Sequence, residues 1–128
     1  MNEQSPKEKL RILVVDDKFI IKDVFDLTLG KLGHHITWID NAKEALEVVK
    51  GDFDIVFLDI IMPDSDGVSL LEKIKKVNPE VPVVMMSGYS VEEKRQKIRE
   101  LGVALCLDKP FSLEEVRQII KEAIGKDV

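Results

Sequence analysis

Five short apolar runs, at residues 11–15, 35–39, 54–58, 81–86 and 103–107, recur along the chain with a longer interval after each. Each has strand length and is rich in Ile, Val, Leu or Phe. Their apolarity is nearly unbroken rather than alternating, which suits strands covered on both faces. The intervals carry helical spacing instead: Ala42, Ala45, Leu46 and Val49 form one stripe, and Leu70, Leu71, Ile74 and Val77 another. Val116, Ile119, Ile120, Ala123 and Ile124 form the strongest. The first helix is expected over residues 18–32, with Ile21, Val24 and Phe25 on its apolar face.

This is a βα unit repeated five times. Its short loops force parallel strands with helices on both faces, so the expected class is α/β, a doubly wound (βα)5 sheet. The flavodoxin-like order 2-1-3-4-5 puts the first and third strands side by side, and ligands of such sheets bind outside the carboxyl ends of the strands. The punctuation agrees. Ser90 with Glu93, and Ser112 with Glu115, have capping-box spacing. Gly33, Gly51, Gly102 and Gly125 stand where helices should end and a left-handed residue is cheap.

At 128 residues the chain fits one domain, expected over residues 10–125, with a loose polar tail at 1–9 and a short C-terminal end at 126–128. Nineteen basic residues against 24 acidic ones, a net charge of −5, argue against a nucleic-acid partner. The lone cysteine, Cys106, excludes an internal disulfide and a cysteine-rich metal site. No apolar run approaches the ~20 residues of a membrane span. The polar N-terminus has no hydrophobic signal core, so a cytoplasmic location is expected and membrane association is not.

Three acids lie where the binding rule points. Asp16 and Asp17 end the first apolar run and Asp59 ends the third. Singly, each could merely cap a helix or turn the chain. Together they would set like charges in one small pocket, where two charges 4 Å apart cost about 4 kcal/mol at an effective dielectric of 20. A compensating cation is therefore expected, and hard carboxylate oxygens favour Mg²⁺ over zinc. Ser87 follows the fourth run and Lys109 the fifth. Alone they read as a turn residue and a solvated charge. Beside carboxylates and a metal they supply what a transferring phosphoryl group needs.

With the pair Asp16-Asp17, the run Leu-Asp-Ile-Ile-Met-Pro-Asp-Ser-Asp-Gly around Asp59, Ser87-Gly88 and Lys109-Pro110-Phe111, the chain resembles the response-regulator receiver domains of two-component signalling, the CheY-like family. The likeness covers about residues 10–125. It implies that Asp59 is the nucleophile accepting a phosphoryl group from a phosphohistidine. It implies Mg²⁺ held directly by Asp17 and Asp59 and by the backbone carbonyl of Ile61, with Asp16 acting mainly through water. Lys109 should pair with Asp59 before transfer and with a phosphate oxygen after it. Ser87 should donate its hydroxyl to that phosphate, Gly88 should let the backbone follow, and the Lys109–Pro110 bond should be cis.

The movement is expected to pass to the helix after the fourth strand, where residues 91–101 offer only Val91, Ile98 and Leu101 as apolar anchors. The output face would combine helix 4, strand 5 and helix 5. Cys106 departs from the family pattern, standing where an aromatic switch residue is usual; a small thiol cannot sweep the same volume. Ile61 and Tyr89 flank the path of attacking water and are expected to lengthen the life of the acyl phosphate. Lys18 adds charge that either tunes metal or phosphate affinity or lies solvated in the first turn. His34 and His35 read as loop residues, Trp38 as a strand residue, and Met85 and Met86 as core filler.

The resulting expectation is a phosphorylation-dependent signalling switch that catalyses only its own phosphorylation and slow dephosphorylation. Its partners would be a sensor histidine kinase or phosphotransfer protein and a downstream protein target, with the switch itself a monomer or weak homodimer. The alternatives are a receiver domain cut from a longer transcription regulator or hybrid kinase, a Mg²⁺-dependent phosphatase, and a degenerate receiver that works without phosphorylation.

Overall fold

In the computed structural model, which describes residues 9–63, 65–88, 92–103 and 105–128, the apolar runs become five parallel strands. They are β1 (Arg11–Val15), β2 (His35–Ile39), β3 (Ile55–Asp59), β4 (Val83–Ser87) and β5 (Cys106–Asp108), in spatial order β2-β1-β3-β4-β5. Side chains along a strand point alternately to opposite faces, and here both faces are apolar. Leu13, Val15, Val56, Leu58, Val83 and Met85 pack under α2 (Ala42–Val48), α3 (Gly67–Val77) and α4 (Glu92–Glu100). Ile12, Val14, Ile55, Phe57, Val84 and Met86 pack under α1 (Phe19–Phe25) and α5 (Leu113–Ile124). That two-sided burial is why the sequence runs are continuous rather than alternating. Met85 and Met86 are core residues on opposite faces.

The helix ends follow local chemistry. Asn41 caps α2 by accepting the Glu44 amide at 2.8 Å. Ser112 and Glu115 form the expected capping box on α5, at 3.1 and 2.9 Å, and Gly125 closes that helix at φ 70°. Gly33 and Gly102 also take positive φ, whereas Gly51 does not, because Val49 ends α2 in ordinary right-handed geometry. Ser90 and Val91 fall outside the described residues, and the expected Ser90–Glu93 capping box with them.

Several expectations shift. The first helix is regular only to Phe25 and continues as a π-turn over Asp26–Gly30, where Thr28 gives its hydroxyl to the Val24 carbonyl. A hydroxyl inserted into the carbonyl ladder favours such widening. Strands β3 and β4 each run one residue further than expected, because Asp59 and Ser87 stay in the ladder beside Met86 and Asp108. Strand β5 starts later, since Val103 is buried without being a strand residue. Neither histidine is a simple loop residue. His34 is buried and its Nδ1 accepts the Leu10 amide at 3.0 Å, while His35 opens β2.

Candidate functional site

The parallel order brings the carboxyl ends of β1 and β3 together, and the three acids meet there. Asp16, Asp17 and Asp59 each offer a carboxylate oxygen within 4.8 Å of the others. Asp16 and Asp59 are buried, at 0% and 2% exposure, and Asp17 is half-buried. Three converging hard oxygen donors with no nitrogen or sulfur among them suit Mg²⁺.

Lys109 reaches in from the end of β5. Its ammonium lies 2.7 Å from Asp16 Oδ2 and 3.2 Å from Asp59 Oδ2. The expected Lys109–Asp59 pair is therefore present, and a shorter one to Asp16 accompanies it. The Lys109 amide donates to the Ser87 carbonyl at 2.7 Å, tying the ends of β4 and β5 together. Ser87 is buried and ends β4, one residue past Met86, the register partner of Asp59. The Lys109–Pro110 bond is cis, as expected. Gly88 does not take positive φ, and a Cβ there would meet the Lys109 side chain only at an ordinary 4.0 Å.

Asp59 is held by main chain. Its Oδ1 accepts the Ile61 amide at 3.1 Å. The segment beyond folds back in a two-residue hairpin, Ile61–Met62 against Ser65–Asp66, and the Gly67 amide closes it on the Ile60 carbonyl at 3.0 Å. A Cβ on Gly67 would sit 2.2 Å from that carbonyl oxygen, so only glycine fits. Burial and the neighbouring Asp16 charge push the Asp59 carboxyl above its ordinary range, while the Ile61 amide and Lys109 pull it back.

Two participants were not legible in the sequence. Trp38 donates its indole N–H to the Asp16 carbonyl at 2.8 Å and packs edge-on against Phe19, bracing the turn that carries the acidic pair. Ile20 is 66% exposed beside an apolar hollow of 310 Å³ lined by Lys18, Ile21, Val24, Lys109, Pro110 and Phe111. Cys106 is half-buried on β5, paired in register with Met85; burial pushes its thiol up, against the pull of Arg95. Ile61 exposes its side chain at the rim. Tyr89 lies outside the described residues.

A sheet of this order, with acids, hydroxyl and lysine gathered at its carboxyl edge, defines a phosphoacceptor module, and sequence comparison agrees. The chain belongs to the family described as the response regulator receiver domain, whose model matches residues 12–121. It is 31% identical over 113 residues to sporulation initiation phosphotransferase F of Bacillus subtilis (strain 168), covering 88% of this chain and 91% of that protein. It is 32% identical to the DNA-binding transcriptional regulator NtrC of Azospirillum brasilense across 91% of this chain, but spans only 24% of that regulator. A CheY-like receiver domain protein from Methanospirillum hungatei JF-1 superposes with a TM-score of 0.83 at 30% identity, covering 90% of this chain and 93% of that one. The chain thus has the phosphoacceptor switch role of two-component signalling.

Proposed function

We propose that Asp59 takes the phosphoryl group, from a phosphohistidine on a sensor histidine kinase or phosphotransfer protein. The observation that carries this reading is the isolation of Asp59 at the convergence of two acids and a lysine, with one oxygen fixed by the Ile61 amide. The Asp59 carboxylate attacks phosphorus, the P–N bond breaks, and its electron pair leaves with the histidine. Asp17, Asp59 and the Ile61 carbonyl would hold Mg²⁺, with Asp16 acting through water. When bound, the metal neutralises phosphoryl oxygens and keeps Asp59 ionised. Lys109 balances the negative charge before and after transfer. Ser87 donates to the phosphoryl group, Gly88 allows its loop to follow, and Ile61 and Tyr89 shield the product from water.

Phosphorylation replaces a carboxylate by a group of about −1.5 to −2 charge. We read the output as a change in partner binding across α4, β5 and α5. Helix α4 suits this: among the described residues it buries one apolar side chain, Ile98, whereas α5 buries three, Val116, Ile119 and Ile120. Cys106 replaces the usual aromatic, so the switch runs through Ser87 without a swinging ring. The donor would dock on exposed Ile20 and the adjoining hollow, beside Lys109 and Asp59.

The domain of residues 10–125 would act on itself only, in the cytoplasm, as a monomer or weak homodimer. Among the described residues no helix is long and apolar enough to cross a membrane. The second reading, a receiver domain of a longer transcription regulator or hybrid kinase, is favoured by the short span of the NtrC regulator that this chain matches. Intact mass after incubation with Mg²⁺ and a small phosphodonor tests the chemistry. One added phosphoryl group is expected in the parent and none in Asp59→Asn; equal labelling of both would reject Asp59 as acceptor.

A further inference from the structure

The pocket holds a second lysine whose placement has a different character from that of Lys109. The Lys18 ammonium lies 3.2 Å from Asp17 Oδ1 and 3.9 Å from Asp59 Oδ2, while its own amide donates to Asp16 Oδ1 at 2.8 Å. Lys109 is sunk between Asp16 and Asp59 with its side chain 13% exposed; that of Lys18 is 55% exposed and covers the pocket from outside. Lys18 also occupies the N-cap of α1, a helix with no acidic residue in its first turn. The positive end of a helix dipole disfavours a cation there, so the carboxylates are what draw the ammonium in.

We propose that Lys18 is a built-in competitor of the divalent cation: its ammonium rests on Asp17 and Asp59 and must leave for the metal to bind, so it sets the metal concentration at which the domain becomes competent. This rests on the reading of Asp16, Asp17 and Asp59 as the metal carboxylates. Three carboxylates against two ammoniums leave the pocket one charge negative. A divalent cation added with both lysines in place makes it one charge positive; with one lysine withdrawn the pocket is neutral. Lys18 is the one able to withdraw, because its side chain is on the solvent side and its four-carbon stem is flexible. Lys109 stays and keeps the buried oxygens paired.

Trp38 makes the test direct, since this single tryptophan is hydrogen-bonded to the Asp16 carbonyl. Mg²⁺ is titrated into the full chain, followed by tryptophan fluorescence and by calorimetry, for the parent, Lys18→Gln, Lys18→Arg and Asp17→Asn. Lys18→Gln is expected to bind Mg²⁺ about two- to five-fold more tightly, the scale of an exposed ion pair. Lys18→Arg, which keeps the charge, should stay within about two-fold of the parent, and the Gln–parent gap should narrow at high salt. Equal or weaker binding by Lys18→Gln overturns the competition and leaves the metal site standing. No Mg²⁺ binding by the parent, or undiminished binding by Asp17→Asn, overturns the metal reading and the competition with it.

Discussion

Strand β1 has a buried polar site near each end, and the two are built on opposite terms. Just before its amino end, His34 lies 5% exposed and accepts the Leu10 amide, a neutral group meeting a main-chain donor. Just past its carboxyl end, Asp16 and Asp59 are buried side by side, with Lys109 as the buried compensation. The first site satisfies a backbone group and holds the sheet to the turn before β2. The second concentrates charge of one sign that the fold must carry. Buried polar groups that are paired and neutral add stability, whereas crowded charges store unfavourable energy that a ligand can release. The difference separates a structural use of polarity from a chemical one within a single strand.

That contrast can be broken most forcefully at Lys109. Lys109→Met leaves two buried carboxylates without their shared cation and should cost about 3–5 kcal/mol of stability in urea unfolding at pH 7. The deficit should shrink in acid, as the carboxylates protonate, and adding Asp59→Asn should recover part of it. An unchanged midpoint would mean that the acids are solvated rather than buried.

At the other end, His34→Ala strands the Leu10 amide and should cost about 1–3 kcal/mol. Mg²⁺ affinity should not change, and a weakened metal site would show that the two ends are not independent. Asp59→Asn should have the reverse sign and stabilise the fold by about 1 kcal/mol at neutral pH, the scale of one relieved charge contact. The sign follows from the raised Asp59 pKa: the native state holds that proton more tightly than the unfolded chain does. The parent therefore loses stability as pH rises from the ordinary carboxylate range through the raised value. Asparagine has no such dependence, so thermal melts of the two proteins should converge in acid. The smallest effect is expected from Trp38→Phe, which removes one hydrogen bond to the Asp16 carbonyl, about 0.5–1.5 kcal/mol by the same melts.

The sheet was readable because both its faces are buried, which writes each strand as a continuous apolar run. The rim was readable because acids, hydroxyl and lysine each follow such a run. What stayed hidden depends on pairing between distant segments. Asp59 and Ser87 look like strand terminators but remain in the ladder, because their neighbours carry the strand one step further. His34 looks polar and loop-bound because the amide it satisfies belongs to Leu10, 24 residues earlier. The indole of Trp38 and the double pairing of Lys109 need the β1–β2 and β1–β3 registers before they can be inferred. Val103 shows that an apolar run specifies burial without specifying strand.

The grip on Asp59 comes from an amide that every residue except proline possesses, in a loop sealed by a glycine that nothing else can replace. Aiming the Asp59 carboxylate is thereby uncoupled from the identity of the side chain next to it. Position 61 can be repainted, bulky or small, greasy or polar, and the Asp59 carboxylate keeps its bearing. On the proposed role of Asp59 as phosphoryl acceptor, exchanging that one rim residue would reset how long the signal lasts and leave the aim of the carboxylate beneath it untouched.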